Sequence, residues 1–555
     1  MTAVRTARMI FAVSAVLYLC VGGLLTAGRG YLAGDALSRV AATQAAILSR
    51  DPHLSAIGFV FTPLTALSQL PFVAFAQWSV GITRWGLSAV LMTSLFMAGA
   101  VTMVWGIGGD RGAPHWLRIV ITLVFALNPM VVCYGGNGMS EALFLFCLCW
   151  AARRLMRWVR TDGVHDLVAT GIALGLGYLT RYDALAPAMG AAVLVFGLSY
   201  YRRRAADHRF AGAAMDLVLV TAPVVLAFLV WAGTSWLITG QAFQQFTSQY
   251  GNSAILAQSG AGGPGNPIAA MQYSLGATLI LAPLLPLLIP ITGALGIRRR
   301  DWQVAVPMLL FGSVLAFQML SYATGSTFAF LRFYIAAIPL AAILALLIAP
   351  AHGFPPTKRA GQYEDREPAA PLIATRAWRP LAGAALAAML LIATVPVTVL
   401  GMNNQLMAVQ EYSLEAVLFP NPDNVSAKYN DEVRIAATFR TERRLAEYLD
   451  ALDLPRGAVV MDTVYGFAVL VASEKPDRFV IPSDRDFVRV LNRPLDRGVK
   501  YILAVPNTGR GTSDAVNRRY PSMYENGAQI ATLELEIPND GAGQPDWRLY
   551  RVIGS

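Results

Sequence analysis

Four carboxylates in the apolar part of this sequence lie outside the basic segments that contain the other acids. They are Asp35, Asp51, Glu141 and Asp183, out of thirteen acidic residues in residues 1–401. A charged side chain at the end of an apolar segment costs up to about 3 kcal/mol if it is carried into lipid. Such residues need a reason to be there, and a carboxylate at the water–membrane boundary can act as a general base on a hydroxyl.

Asp35 precedes an amphipathic pattern over residues 36–50, which predicts a helix. Its local sequence leaves two interpretations open. The carboxylate can cap this helix and pair with Arg39 one turn later. Alternatively, it can act as a general base close to lipid-borne substrates. The two interpretations are compatible with each other.

Glu141 and Asp183 each begin an apolar segment and also have two interpretations. Ser140 could cap the helix that starts at Glu141, and a carboxylate in a first turn complements the helix dipole. Asp183 follows Arg181 in a polar turn, where an internal ion pair explains both charges about as well as substrate contact does.

Arg332 opens an apolar segment in an aromatic setting, between Phe330 and Tyr334. It can be an interfacial anchor whose guanidinium snorkels to water, or it can bind a phosphate, for which a guanidinium fork is well suited. His53 has no second His or Cys at ligand spacing, which favours a structural or interfacial role over a metal site.

The composition identifies the elements that must position these residues. The chain is 55% hydrophobic and 14% charged, which excludes an ordinary soluble protein. Residues 1–401 contain 26 Lys and Arg against 13 acids, whereas residues 402–555 contain 18 against 21. The positive charge lies in short loops, where it indicates membrane orientation and not nucleic-acid binding. Four cysteines in apolar runs predict neither a disulfide framework nor a metal–thiolate site.

Apolar stretches predict a polytopic α-helical protein with eleven membrane spans. They are residues 9–28, 85–107, 117–134, 141–158, 166–180, 184–201, 215–238, 271–297, 303–323, 330–350 and 381–401. With a cytoplasmic N-terminus, every second loop is basic, as the positive-inside rule requires. This topology needs residues 61–79, which contain two prolines, to lie along the membrane or re-enter it.

Everything after residue 401 is predicted to lie outside the membrane on the extracytoplasmic side. Helical periodicity at residues 441–452 and 484–491 alternates with strand-like patterns at 458–461, 501–505, 531–537 and 547–552. The chain is therefore predicted to contain a membrane domain, residues 1–401, and a soluble α/β domain, residues 402–555. Residues 351–380, rich in Pro and charges, are predicted to be a cytoplasmic linker.

The order and sidedness of four motifs resemble the GT-C superfamily of integral-membrane glycosyltransferases, which includes protein O-mannosyltransferases, lipid A aminoarabinose transferases and GPI mannosyltransferases. The motifs are GDALSR at residues 34–39, GMSEALF at 138–144, LTRYD at 179–183 and LRFYIAAIP at 331–339. The resemblance covers essentially the whole chain. It implies the GT-C fold, a multi-pass position in the inner (plasma) membrane, and a sugar donor linked to a polyprenyl phosphate.

The resemblance also implies that the first-loop acid, Asp35, is the catalytic base of an inverting transfer to a hydroxyl. The acceptor would be a lipid, polysaccharide or protein of the cell envelope, and the sugar mannose, another hexose or arabinofuranose. The donor phosphate would be bound by Arg332 and Arg181. The predicted substrate-binding residues are Glu141, Asp183, Arg39, His53 and Asn137.

One departure from the superfamily concerns metal. Many relatives carry two neighbouring acids in the first loop, whereas Asp35 is followed here by Ala36, and the next acid is Asp51. Because Mg²⁺ and Mn²⁺ favour several oxygen ligands, no divalent metal and no other cofactor is expected.

The alternative function is a membrane transporter or a lipid-linked sugar flippase, whose charged residues would line a substrate path. Two observations argue against it: the sequence shows no internal repeat, and the charges gather on one face of the membrane.

Overall fold

The computed structural model describes residues 2–204, 207–248, 250–259, 266–350 and 378–553. Residues 351–377 of the predicted cytoplasmic linker lie outside the described residues. The helices that precede the C-terminal sheet region are α1 (Thr2–Gly23), α2 (Gly34–Leu48), α3 (Leu64–Leu67), α4 (Leu70–Val73), α5 (Gly81–Arg84), α6 (Leu87–Asp110), α7 (His115–Ala126), α8 (Pro129–Gly136), α9 (Glu141–Thr161), α10 (Val164–Tyr178), α11 (Leu185–Arg202), α12 (Arg209–Thr239), α13 (Gln244–Thr247), α14 (Asn252–Ser259), α15 (Pro267–Leu281), α16 (Leu285–Arg299), α17 (Ala305–Ala323), α18 (Ala337–Ile348), α19 (Trp378–Met402) and α20 (Leu414–Leu418).

The described residues contain seven helices long and apolar enough to cross a membrane, and two bent helix pairs raise the number to nine. All eleven predicted spans fall on helices, but the count of eleven is not confirmed. The two that do not qualify are α9, which carries Glu141 and four arginines, and α10, which has only 15 residues. The chain is a multi-pass membrane protein.

Two predicted spans are broken by proline. The predicted span 117–134 bends by 59° between α7 and α8, where Pro129 begins the second helix and the Asn128 side chain accepts a hydrogen bond from the Met130 amide at 3.0 Å. The predicted span 271–297 bends by 79° between α15 and α16, beside Pro283. Proline breaks a helix because it lacks the amide hydrogen and clashes with the preceding turn.

Residues 61–79 do not form a continuous spanning helix. They fold into α3, α4 and a 3-10 turn, Ala74–Gln77, of four residues each. At about 1.5 Å per residue, such helices are far too short to cross a hydrocarbon core. The prediction that this stretch is not a span is therefore confirmed.

The C-terminal region is an α/β structure with a five-stranded sheet. Its strands are β1 (Val459–Val460), β2 (Phe479–Val480), β3 (Tyr501–Ala504), β4 (Ala531–Ile537) and β5 (Trp547–Val552), and its helices are α21 (Ala427–Ala436), α22 (Arg440–Ala451), α23 (Thr463–Ala472), α24 (Phe487–Asn492), α25 (Ala515–Arg519) and α26 (Met523–Asn526). The strand order is β2-β1-β3-β5-β4, in which β1 pairs in parallel with β2 and β3, and β5 runs antiparallel to β3 and β4. All six patterned segments fall on helices or strands of the predicted type, whereas five elements were not predicted: α21, α23, α25, α26 and β2.

The hydrophobic core of this region includes the amphipathic helix α2 of the first loop. Leu37 and Val40 of α2 are buried in the same cluster as Leu445 of α22, Ala468 of α23 and Trp547 of β5. The apolar face of α2 is therefore covered by the C-terminal region. This packing fixes the helix that carries Asp35.

Candidate active site

The predicted charged residues meet where four separate elements end or begin. Asp35 is the second residue of α2, and Glu141 is the first residue of α9. Arg181 precedes a 3-10 turn, Tyr182–Ala184, that contains Asp183, and Arg332 lies in another 3-10 turn, Leu331–Tyr334, before α18. Residues far apart in sequence thus come together because the membrane helices end on the same side.

These side chains form one continuous chain of alternating charges. Asp35 Oδ2 lies 2.9 Å from Arg332 Nη2, and Arg332 Nη1 lies 3.3 Å from Glu141 Oε1. The same Glu141 oxygen accepts a hydrogen bond from Arg181 Nη1 at 2.8 Å. Arg181 Nε lies 3.1 Å from both Asp183 oxygens. Each guanidinium therefore bridges two carboxylates, which stabilises the charges in a partly desolvated setting.

Exposure differs sharply along this chain of charges. The exposed fraction of the side chain is 2% for Glu141, 5% for Arg332, 8% for Asp183 and 15% for Arg181, but 43% for Asp35. The buried members hold one another in place. Asp35 is the terminal carboxylate that a substrate could reach.

The structure excludes the capping interpretation of Asp35. Ala33 is the N-cap of α2, and no side chain caps the helix. Arg39 contacts Asp35 through the backbone, because its Nη1 donates to the Asp35 carbonyl oxygen at 3.0 Å, while its guanidinium lies 4.8 Å from the centre of the Phe61 ring. The carboxylate itself is therefore available to Arg332 and to a ligand.

The surrounding arginines determine the ionisation of Asp35. Burial alone would raise the pKa of this carboxyl, but the positive charges of Arg332, Arg39 and Arg181 outweigh it and hold the pKa below its usual range. Asp35 is therefore ionised at neutral pH. A general base must be ionised before it can accept a proton.

Ser140 does not cap α9 as predicted, because its side chain makes no cap hydrogen bond; it lies 3.3 Å from Arg181 Nη1 instead. Asn137 lies in the neighbouring loop, where its side-chain oxygen accepts a hydrogen bond from the Met139 amide at 3.1 Å. Met139 Sδ lies 3.8 Å from Arg332 Nη1. Asn137 therefore shapes the loop beside the cluster and does not itself join the chain of charges.

Arg332 is not a snorkelling anchor. Its guanidinium is buried between the two carboxylates, and its centre lies 5.2 Å from the Phe330 ring and 5.1 Å from the Phe333 ring. Phe333 also lies 5.3 Å from the centre of the Arg181 guanidinium. Aromatic faces on the arginines exclude water and restrict the orientation of the guanidinium planes.

His53 contacts a different part of the first loop. Its Nδ1 lies 2.6 Å from the Asp51 carbonyl oxygen, and Asp51 accepts a hydrogen bond from the Arg485 amide at 3.0 Å. The contacts of His53 thus lead towards the C-terminal region and not into the chain of charges. Asp51 belongs to this contact as well, so it is not a second acid beside Asp35.

Three further polar residues beside the chain of charges were not predicted as part of the site: Gln318, Glu411 and Tyr134. Gln318 of α17 donates to Asp183 Oδ2 at 2.8 Å. Glu411, which follows α19 and is 2% exposed, accepts a hydrogen bond from the Tyr134 hydroxyl through Oε1, while its buried Oε2 has no partner among the described residues. Burial raises the pKa of Glu411, although the Tyr134 hydrogen bond and the charge of Arg332 oppose the rise.

No known family model matches the sequence, and no curated relative matches it significantly. Among solved structures, ArnT from Cupriavidus metallidurans bound to undecaprenyl phosphate matches 99% of this chain and 98% of its own, with a TM-score of 0.53 at 12% identity. The chain has the GT-C fold. The archaeal oligosaccharyltransferase AglB from Archaeoglobus fulgidus, solved with an inhibitory peptide and a dolichol-phosphate, matches 90% of this chain and 69% of its own at 11% identity, with a TM-score of 0.38. The likeness to ArnT confirms the GT-C fold that the four motifs predicted.

Proposed function

We propose that this protein transfers a sugar from a polyprenyl-phosphate donor to a hydroxyl acceptor at the extracytoplasmic face of the inner membrane. The observation that carries the proposal is the position of Asp35, a partly exposed and ionised carboxylate at the end of a buried chain of charges. The ArnT structure, which has the same fold and holds undecaprenyl phosphate, supports a lipid-phosphate donor.

In the proposed reaction, Asp35 accepts the proton of the acceptor hydroxyl. The acceptor oxygen forms a bond to the anomeric carbon, the bond from that carbon to the phosphate oxygen breaks, and the configuration inverts. The polyprenyl phosphate leaves with the electron pair and one additional negative charge. Arg332 and Arg181 neutralise that charge through oriented, charge-assisted hydrogen bonds.

The shared use of Arg332 links donor binding to base strength. Arg332 Nη2 is bound to Asp35 at 2.9 Å in this structure, and a donor phosphate would compete for the same guanidinium. Because the charge of Arg332 lowers the pKa of Asp35, a phosphate that draws it away makes Asp35 a stronger base. In the proposed site, Glu141 and Asp183 bind sugar or acceptor hydroxyls. Because they pair with Arg332 and Arg181, they also hold the arginines that bind the donor phosphate.

Mannose, another hexose and arabinofuranose remain the proposed sugars, and a lipid, polysaccharide or protein of the cell envelope the proposed acceptor. The C-terminal α/β region, which packs on the helix of Asp35, would close the site or bind the acceptor. The N-terminus would be cytoplasmic and the C-terminal region extracytoplasmic, as the basic loops predict.

The deciding experiment supplies membranes with labelled polyprenyl-phosphate sugars. Asp35→Asn should lower the transfer rate by about 10²–10⁴-fold at equal protein level, because that is the usual contribution of general-base catalysis. Asp51→Asn is the matched control in the same loop and should retain activity. Transfer by Asp35→Asn at the wild-type rate would exclude Asp35 as the base.

Metal independence is tested in the same assay. EDTA should leave the rate unchanged, because both oxygens of Asp183 and one oxygen each of Asp35 and Glu141 are engaged by arginines. Loss of transfer with EDTA and its recovery with added Mg²⁺ or Mn²⁺ would contradict this part of the proposal.

A further inference from the structure

A second charged site lies at the opposite end of α9. Arg153, Arg157 and Arg160 recur at helical spacing along one face of this helix. Together with Arg111, Asp110 and Gln303 they line a cavity of about 40 Å³. Since one water needs about 10–15 Å³ by this measure, the cavity has room for about three waters, which is comparable to a phosphate group.

The cavity is separate from the candidate active site. Arg160 lies about 28 Å along the helix from Glu141, at about 1.5 Å per residue. That distance is close to the thickness of a bilayer's hydrocarbon core, about 30 Å. The cavity therefore opens at the face where the basic loops lie, which is the predicted cytoplasmic face.

Three of the four lining arginines are paired with carboxylates. Arg153 binds Asp110 through two hydrogen bonds, at 2.7 and 3.2 Å. Arg157 Nε lies 3.5 Å from Asp166 Oδ2, and Arg111 Nη2 lies 3.0 Å from Asp301 Oδ2. These pairs offset three of the four positive charges that line the cavity.

Arg160 is the exception among the lining arginines, because it forms no ion pair with any residue that the structure describes. Its Nη1 is buried without a hydrogen-bond partner there, and so is Nε of Arg111, a residue that is only 2% exposed. Buried guanidinium groups are normally satisfied by an anion or a carbonyl. The lining thus presents unused donors and an excess of positive charge.

The chemistry of these donors indicates the ligand. Guanidinium groups bind phosphate oxygens through paired, charge-assisted hydrogen bonds. Basic pockets between membrane helices on the cytoplasmic side are suited to phosphate-bearing head groups of anionic lipids. We infer that the cavity lined by Arg111, Arg153, Arg157 and Arg160 binds a phosphate group, supplied by an anionic lipid head group or by free phosphate.

The test uses the full-length protein in dodecyl maltoside with three probes: inorganic phosphate, dioctanoyl phosphatidylglycerol and dioctanoyl phosphatidylcholine. Binding is measured by thermal shift and by native mass spectrometry. Arg160→Gln should weaken binding of at least one anionic probe by about tenfold, because it removes the unpaired cation. Arg298→Gln is the matched control, since Arg298 is an exposed arginine in the last turn of α16 that does not line the cavity.

The three probes distinguish the two possible sources of the phosphate group. Binding of inorganic phosphate supports a free phosphate ligand, and binding of phosphatidylglycerol alone supports a lipid head group. No binding of either anionic probe, equal binding of phosphatidylcholine, or equal loss in both variants would overturn the inference. If Arg160→Gln does not fold, Arg160→Lys decides, because it retains the charge but loses the fork and should still weaken phosphate binding.

Discussion

The two ends of α9 show two ways of placing charge on one helix. At the Glu141 end, one carboxylate with 2% exposure contacts two arginines that are 5% and 15% exposed, and the pairing continues to Asp35 and Asp183. At the Arg160 end, Asp166 likewise contacts two arginines, Arg154 and Arg157, but these are 37% and 36% exposed. The charges at the Glu141 end are stabilised mainly by one another, whereas water also solvates the arginines at the Arg160 end.

The largest expected difference comes from removing the central carboxylate at each end. Glu141→Gln should lower the free energy of unfolding by about 3–5 kcal/mol, because it leaves two buried guanidinium groups without their shared partner. Asp166→Asn should cost about 1 kcal/mol or less, because its arginines are solvated. Unfolding followed by circular dichroism in mixed micelles measures both, and equal losses would contradict the comparison.

A second prediction concerns the pH dependence of transfer. In the proposed reaction Asp35 must be ionised, so we expect activity to be lost as pH falls through its pKa, which the surrounding arginines hold below its usual range. Arg39→Gln removes one of these charges and should move the acid limb of kcat/KM to higher pH. Arg29→Gln, which removes an exposed arginine from the start of the same loop, should leave the limb in place. An unshifted limb in Arg39→Gln would show that Arg39 does not act on the base.

The smallest effect is expected at Glu411. Burial raises the pKa of this carboxyl, so the native state binds its proton more tightly than the unfolded state does. The resulting stabilisation is present at low pH and is lost as pH rises above the unfolded value of about 4.3. Glu411→Gln keeps the hydrogen-bond acceptor for Tyr134 and should remove this pH dependence from the unfolding midpoint. The exposed Glu415→Gln should behave as wild type, and a parallel pH profile for both variants would refute the assignment.

Much of the fold could be predicted because the hydrophobic pattern of a short segment indicates whether it forms a membrane helix or a strand. All eleven predicted spans fall on helices, nine of which qualify as spans if each bent pair is counted as one. The two bends, beside Pro129 and Pro283, were not predicted. The four arginines of α9 and the short length of α10 keep these two helices below the length and composition of the other spans. The sequence could not show that Glu141 is buried, because its burial depends on what α9 packs against.

The candidate site could be predicted in composition but not in connectivity. Few charges lie outside the basic loops of residues 1–401, so the sequence indicates these members of the site: Asp35, Glu141, Asp183, Arg181 and Arg332. The pairing of Asp35 with Arg332 spans 297 residues, and no local period encodes it. Glu411 lies just after the last predicted span, so its position in the sequence groups it with the acids of the C-terminal region and not with the site.

The packing of α2 into the C-terminal core has a consequence for biosynthesis. The helix that carries Asp35 is made early, but its apolar face is covered by residues such as Leu445 and Trp547. At about 5–20 residues per second, the ribosome needs roughly 25–100 s to reach them after α2 emerges. The packing around the helix of Asp35 is therefore completed only after the last strand has been made, so we expect an incomplete chain to leave the apolar face of α2 uncovered.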